Sequence, residues 1–171
     1  MQDLKHLIRT IPDYPKKGIL FRDVTTLFGN AAGFKAAVAL MATPYAEAGV
    51  EAVAGIEARG FILGGAIADR LGCGFVPLRK KGKLPWKTIG QEYTLEYGVD
   101  IIEMHEDAVR TGARVLIVDD LIATGGTAKA VAELVEEMGG IVVGLSFVVE
   151  LTFLKGRDKL SKYDVHSILR Y

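Results

Sequence analysis

The sequence predicts an α/β fold: a mainly parallel central sheet flanked by helices. Two observations carry this. Short, nearly continuous apolar runs such as AVAGIEA (52–58), VLIVD (115–119) and IVVGLSFVVEL (141–151) read as strands buried on both faces. They alternate with helical patterns such as TAKAVAELVEEMG (127–139), where Val131, Leu134, Val135 and Met138 fall on one face. A length of 171 residues fits one domain, 1–171.

In chain order, Asp3 can cap a short helix carrying Leu4, Leu7, Ile8 and Ile11, stopped by Pro12. Residues 11–30 are rich in breakers and read as a long ordered loop. Residues 31–48 are alanine-rich and helical, with Pro44 marking a kink or an end. Strand 52–58 is followed by helix 60–72, whose small residues allow close packing on a sheet. FVPLRK (75–80) is the next strand. KKGKLPWKTIGQ (80–91) is basic, bears glycine and lacks apolar periodicity, the pattern of a mobile flap. EYTLEYG (92–98) alternates like an exposed hairpin strand. Residues 101–110 read as a helix, 113–119 as a strand, 127–139 as a helix and 141–151 as a strand. A short helix near 153–161 and a strand near 165–169 finish the chain.

Bulk composition excludes several classes. Lys plus Arg and Asp plus Glu both count 21, so no global charge draws the chain to nucleic acid or membrane. The N-terminal residues lack the apolar core of a signal peptide, and no run approaches ~20 uninterrupted apolar residues. Cys73 is the one cysteine, so no internal disulfide is possible and a reducing cytoplasm is expected. Cys73 reads as packing. His6, His105 and His166 show neither triad nor metal spacing.

VLIVDDLIATGGTAKA (115–130) concentrates the chemistry. Ligands of such folds sit at the carboxyl ends of strands. There Asp119 and Asp120 precede a turn that opens a helix, whose free N–H groups and dipole favour an anion. Gly125 and Gly126 let a phosphate approach the backbone, and Thr124 and Thr127 add hydroxyl donors. With Ala123 they form a cradle, 123–127, for a phosphate monoester. Neither a Walker loop nor a dinucleotide fingerprint occurs. The two carboxylates suit sugar hydroxyls and Mg²⁺ held through oxygen or water. A phosphorylated ribose uses every part; the plainer alternative is an acid pair that caps the next helix.

VLIVDDLIATGGT resembles the binding motif for 5-phosphoribosyl 1-diphosphate (PRPP) of type I phosphoribosyltransferases. YPKKGILFRDVTTLF, GIEARGFILG, PLRKKGKLP, YTLEYG and ELTFLKGR resemble, in order, segments of the adenine-specific members, over about residues 12–160. The resemblance implies a type I phosphoribosyltransferase-like fold with a small N-terminal base-binding hood (1–30) and a basic flexible flap (80–97). It implies transfer of the phosphoribosyl group of PRPP to adenine, giving AMP and pyrophosphate in purine salvage. It further implies Mg²⁺ carried by PRPP near Asp119 and Asp120, with no direct protein ligand, and a homodimer without nucleic-acid or membrane partners.

Residue by residue, it assigns pyrophosphate to Glu57, Ala58, Arg59, Gly60, Arg79, Lys80 and Lys83. It assigns adenine to Leu20, Phe21 and Arg22, and catalytic roles to Glu96, Arg59, Asp119 and Asp120, with Glu96 as proton carrier. Taken alone, Glu57 and Arg59 read equally as a surface ion pair, the lysine run as a solvated face, Phe21 as a core aromatic and Glu96 as an exposed acid. Trp86 departs from the flap pattern. Two rivals stay open: transfer to hypoxanthine, guanine, xanthine or orotate, and a PRPP-sensing regulator bound to nucleic acid. The zero net charge and the lack of room for a separate DNA-binding domain weigh against the regulator.

Overall fold

The computed structural model describes residues 4–94 and 98–171, Thr94 by its backbone alone. A seven-stranded sheet has the order β5-β6-β4-β3-β7-β8-β9. Its strands are β3 (Ala52–Ile56), β4 (Gly74–Lys80), β5 (Thr88–Thr94), β6 (Val99–His105), β7 (Arg114–Ile122), β8 (Ile141–Glu150) and β9 (Val165–Arg170). The run β4-β3-β7-β8-β9 is parallel throughout. The β5–β6 hairpin joins it antiparallel along β4. A separate two-stranded sheet pairs β1 (Arg9–Pro12) with β2 (Leu20–Asp23).

Alternate residues of the central strands serve opposite faces. Val53, Leu116, Val118 and Val148 pack with Met41 of α2 (Ala31–Ala42) and Leu63 and Ile67 of α3 (Arg59–Leu71). Ala54, Ile117, Leu145 and Phe147 pack with Val131, Leu134 and Val135 of α4 (Gly126–Glu137). Asn30 caps α2, its side chain accepting from the Gly33 amide at 2.8 Å. Gly72 ends α3 in the left-handed region at φ 68°.

Four expectations need correction. Residues 101–110 begin as strand β6, not a helix. Ile102 and Met104 are buried at a spacing of two, and Glu103, also buried, accepts from the Gly82 amide at 2.9 Å. Among the described residues the N-terminal helix is a single 3₁₀ turn, Lys5–Leu7, followed by β1; Asp3, the expected cap, lies outside them. The loop 11–30 contains β2 and a short helix α1 (Thr25–Phe28). Its hairpin is fixed where Arg9 donates to Asp23 at 2.6 Å and where Gly18 N donates to Asp13 at 2.6 Å. The helix at 153–161 is two 3₁₀ turns, Thr152–Leu154 and Gly156–Leu160. Pro44 sits in a 3₁₀ turn that continues from α2.

The topology places the site. From β3 the chain moves outward to β4, then through the β5–β6 hairpin, and returns to the other side of β3 as β7. The order therefore reverses between β3 and β7, and the carboxyl ends of these two neighbours lie side by side.

Candidate active site

β7 runs to Ile122, three residues beyond the expected end, because Leu121 and Ile122 keep their pairing with Val149 and Glu150. Asp119 and Asp120 are thus held in a rigid strand. Asp120 is buried, and Arg59, at the start of α3, donates its Nε to it at 2.5 Å. Gly60 lets α3 approach: a Cβ there would lie 2.9 Å from the Val118 carbonyl oxygen and 3.0 Å from Asp119 Oδ1. Burial, and then the Asp120 charge, push the Asp119 carboxyl well above the usual carboxylate range. Arg59 is shifted the other way from its desolvation: burial works against its charge, but Asp120 and Asp119 raise it. Neither acid caps the following helix, since the N-cap is Gly125 with no side-chain bond. The capping alternative is therefore excluded.

After β7, residues Ala123–Thr127 wrap the first turn of α4. With Asp119, Leu121, Ile122, Ala128 and Phe147 they line a solvent-open cleft with about 370 Å³ of empty space. Gly125 sits at φ 75°, a left-handed conformation that glycine adopts freely. A side chain there would overlap the Gly156 carbonyl, and one at Gly156 would overlap the Ala123 carbonyl. The cradle thus rests backbone to backbone on the segment after β8.

That segment is clamped by a buried carboxylate. Arg157 grips Glu150 with two bonds, Nε at 3.0 Å and Nη2 at 2.6 Å, and also donates to the Ser167 hydroxyl at 3.1 Å. Arg157, and with it the Ser167 hydroxyl, hold the Glu150 carboxyl at about 2 against its burial. A group lowered on folding contributes stability above its unfolded value and loses it as pH falls through its folded value. Glu150→Gln should therefore remove roughly 2 kcal/mol of stability at neutral pH. It should also flatten the acid limb between about pH 4.5 and 2, read by denaturant unfolding at stepped pH.

The β3 side carries cations held on carboxylates. Glu57, directly after β3 and joined to Ala58 by a cis peptide, accepts from the Lys80 amide, from Lys83 Nζ at 3.0 Å and from Arg79 Nη2 at 3.4 Å. Burial opposes ionisation of Glu57, but the Lys80 amide and Lys83 hold its carboxyl below the usual value. Glu57 and Arg59 are not paired with each other, as one sequence reading allowed. Each turns to a different strand, Glu57 to β4 and Arg59 to β7.

In the N-terminal hairpin, Phe21 lies edge-on to Tyr14, with centroids 5.2 Å apart, and its ring faces the Arg59 guanidinium at 5.9 Å. It is half-buried beside the site, not a core aromatic. Leu20 and Arg22 line a different, apolar cleft with Leu151, Phe153 and Leu154, with about 740 Å³ of empty space. Among the described residues, no strand pairs with the second edge of β2. Glu96 and Tyr97 lie outside the described residues. Trp86 is exposed.

Sequence reasoning missed Leu151, Gly156 and Arg157 as site-shaping residues. The run ELTFLKGR carried a signal, an apolar strand end followed by a glycine and a charge.

Residues 25–169 match the phosphoribosyl transferase domain. The chain belongs to the phosphoribosyl transferase family. Within it, the chain is 56% identical to the adenine phosphoribosyltransferase of Brachyspira hyodysenteriae, over 99% of each protein. The structure of the adenine phosphoribosyltransferase from Rhodothermus marinus superposes with a TM-score of 0.94 at 52% identity, over 98% of this chain and 96% of that one. The Saccharomyces cerevisiae enzyme, in complex with an imino-altritol 1,6-bisphosphate and adenine, superposes with a TM-score of 0.90 at 41% identity, over 96% and 95%. The resemblance in YPKKGILFRDVTTLF and ELTFLKGR thus extends to whole chains, and the phosphoribosyltransferase sheet described above is the shared frame. Among the described residues, no helix is long and apolar enough to cross a membrane.

Proposed function

We propose that the protein transfers the 5-phosphoribosyl group of PRPP to adenine, releasing AMP and pyrophosphate, as a cytoplasmic homodimer. The supporting observation is the meeting, at the β3/β7 switch, of a phosphate cradle, an acid pair and a cationic arm, in a chain whose near full-length relatives are adenine phosphoribosyltransferases.

In this reading the amides and hydroxyls of Ala123–Thr127 hold the 5′-phosphate, and Asp119 and Asp120 hold the ribose hydroxyls. Arg59, with Glu57, Ala58 and Gly60 shaping its loop, and Arg79, Lys80 and Lys83 take up charge on the departing pyrophosphate. The C1′–O bond breaks with its electron pair going to pyrophosphate. N9 of adenine attacks the cation-like C1′ and loses its proton, with Glu96 as acceptor. Phe21 stacks on the flat base while the backbone of Leu20 and Arg22 reads its amino edge. A base with the opposite donor order leaves buried groups unpaired, which disfavours hypoxanthine. Closure of the basic loop of the flap, 81–87 between β4 and β5, keeps water from C1′.

Mg²⁺ fits this donor set only as an ion brought in by the ligand. Among the described residues no group of three His, Cys, Asp or Glu side chains could hold a metal, and Asp120 is already engaged by Arg59. Bound to the diphosphate, it would neutralise charge there, met through water by the acid pair.

The deciding experiment measures pyrophosphate release with adenine, hypoxanthine, guanine, xanthine and orotate in turn, with PRPP and Mg²⁺. Release with adenine alone is expected; preference for another base, or no release, overturns the reading. Glu96→Gln should lower kcat about 10²-fold or more with little change in PRPP affinity. A defect confined to binding would remove Glu96 from the proton path.

A further inference from the structure

Each cation assigned to the diphosphate rests on a protein carboxylate: Arg59 on Asp120, Arg79 and Lys83 on Glu57, and Lys80 on Asp100. Asp120 and Glu57 belong to the loops already described. Asp100 does not. It stands on β6, in the hairpin that joins β4, and no role has been given to it.

We propose that Asp100 is a resident counter-ion for Lys80, which an entering diphosphate must displace and which reclaims the ammonium when pyrophosphate leaves. The inference rests on the reading of Lys80 as a diphosphate contact. Three contacts fix the carboxylate in place. Lys80 Nζ lies 2.8 Å from Oδ2, the Tyr93 hydroxyl donates to the same oxygen at 3.4 Å, and the Ile101 amide donates to Oδ1 at 2.9 Å. Tyr93 is buried in one cluster with Ala128 and Val131 of α4, the helix that opens at the phosphate cradle. The acceptor is therefore anchored to the same frame as the ligand.

Lys80 is the movable partner. Its backbone is pinned through its amide to Glu57, while its side chain is 53% exposed and Asp100 is 24% exposed. The ammonium can swing from a fixed root between two anions. Hydrogen bonding to Lys80 is the main influence lowering Asp100, and hydrogen bonding to Asp100 the main influence raising Lys80. Both groups are thus charged across the physiological range. A pair this exposed holds weakly, so a diphosphate bearing several charges wins the contest. The contest still subtracts from affinity, and on the product side that subtraction favours release. Asp100 thus acts through Lys80 as a positioning residue.

Asp100→Asn keeps the shape and an acceptor for the Ile101 amide but removes the competing charge. Calorimetry with inorganic pyrophosphate in magnesium buffer should show about two- to fivefold tighter binding than the unaltered protein, the range set by an exposed ion pair. The gain should shrink as salt rises, and Asp100→Glu should bind like the unaltered protein. A merely structural role predicts the opposite sign: unchanged or weaker binding by Asp100→Asn overturns the proposal. Lys80→Met separates the two layers. If it weakens pyrophosphate binding and Asp100→Asn then adds much less on that background, the proposal stands. If the gain is as large without Lys80, Asp100 does not act through it. If Lys80→Met alone changes nothing, Lys80 is no diphosphate contact, and the underlying reading falls with the inference.

Discussion

The Asp119→Asn, Asp120→Asn double variant is expected to fold and to lose turnover by about 10³-fold or more. The two substitutions act differently on stability. The Asp119 carboxyl is raised by burial and by its neighbour's charge. A group raised on folding contributes its stability at low pH and loses it as pH rises through the folded value, so at neutral pH the ionised form costs stability. Asp119→Asn alone should therefore raise Tm. Asp120→Asn should lower Tm, because it strips Arg59 of its 2.5 Å partner. Differential scanning calorimetry with a pyrophosphate-release assay checks both. A double variant that turns over normally would refute the site, and an Asp119→Asn protein less stable than its parent would refute the electrostatic account.

The second large effect is expected at Gly125. Alanine there meets two penalties: a left-handed φ of 75°, and overlap with the Gly156 carbonyl on which the cradle rests. The loop must shift, and the amides that face the ligand shift with it. The KM for PRPP should rise at least about tenfold, and stability should drop by roughly 2–4 kcal/mol. The reciprocal change, Gly156→Ala, presses on the Ala123 carbonyl and the Gly125 amide and should reproduce the defect from outside the TGGT run. Wild-type PRPP kinetics in both variants would show that this backbone contact does not hold the cradle in shape.

The parts of the fold legible in the sequence were those where one force dominates. The cores of β3, β7 and β8 are buried on both faces and read as unbroken apolar runs, and α4 shows its buried face at helical spacing. β6 failed for the same reason in reverse. Ile101, Ile102 and Met104 with a buried Glu103 leave no polar face to alternate, and a short apolar run of this kind does not distinguish strand from helix. The hairpin of β1 and β2 was hidden because its strands are short, mostly exposed and separated by breakers, and the side-chain pairs that join them, Arg9 with Asp23 and Arg22 with Thr10, lie far apart in the chain.

Local order likewise revealed the acid pair and the cradle, since both lie within one strand–turn–helix. Long-range pairing concealed the rest. Nothing near Glu57 in the chain announces that it turns to Lys83, nor that Arg59 crosses to Asp120. The support from Gly156 depends on two distant segments touching by backbone alone, and the Glu150–Arg157 clamp beside it joins side chains across a chain reversal.

The parallel registration of Ala52–Gly55 with Val115–Val118 has a consequence for biogenesis. During synthesis the anchoring loop for one end of the ligand leaves the ribosome well before the strand that must dock beside it. Nascent or proteolytic pieces ending ahead of residue 114 would own half a grip and no substrate. The proposed sugar phosphate would therefore bind only chains that have reached the second strand and its turn, and it would shield those from proteases while leaving shorter pieces to be cleared.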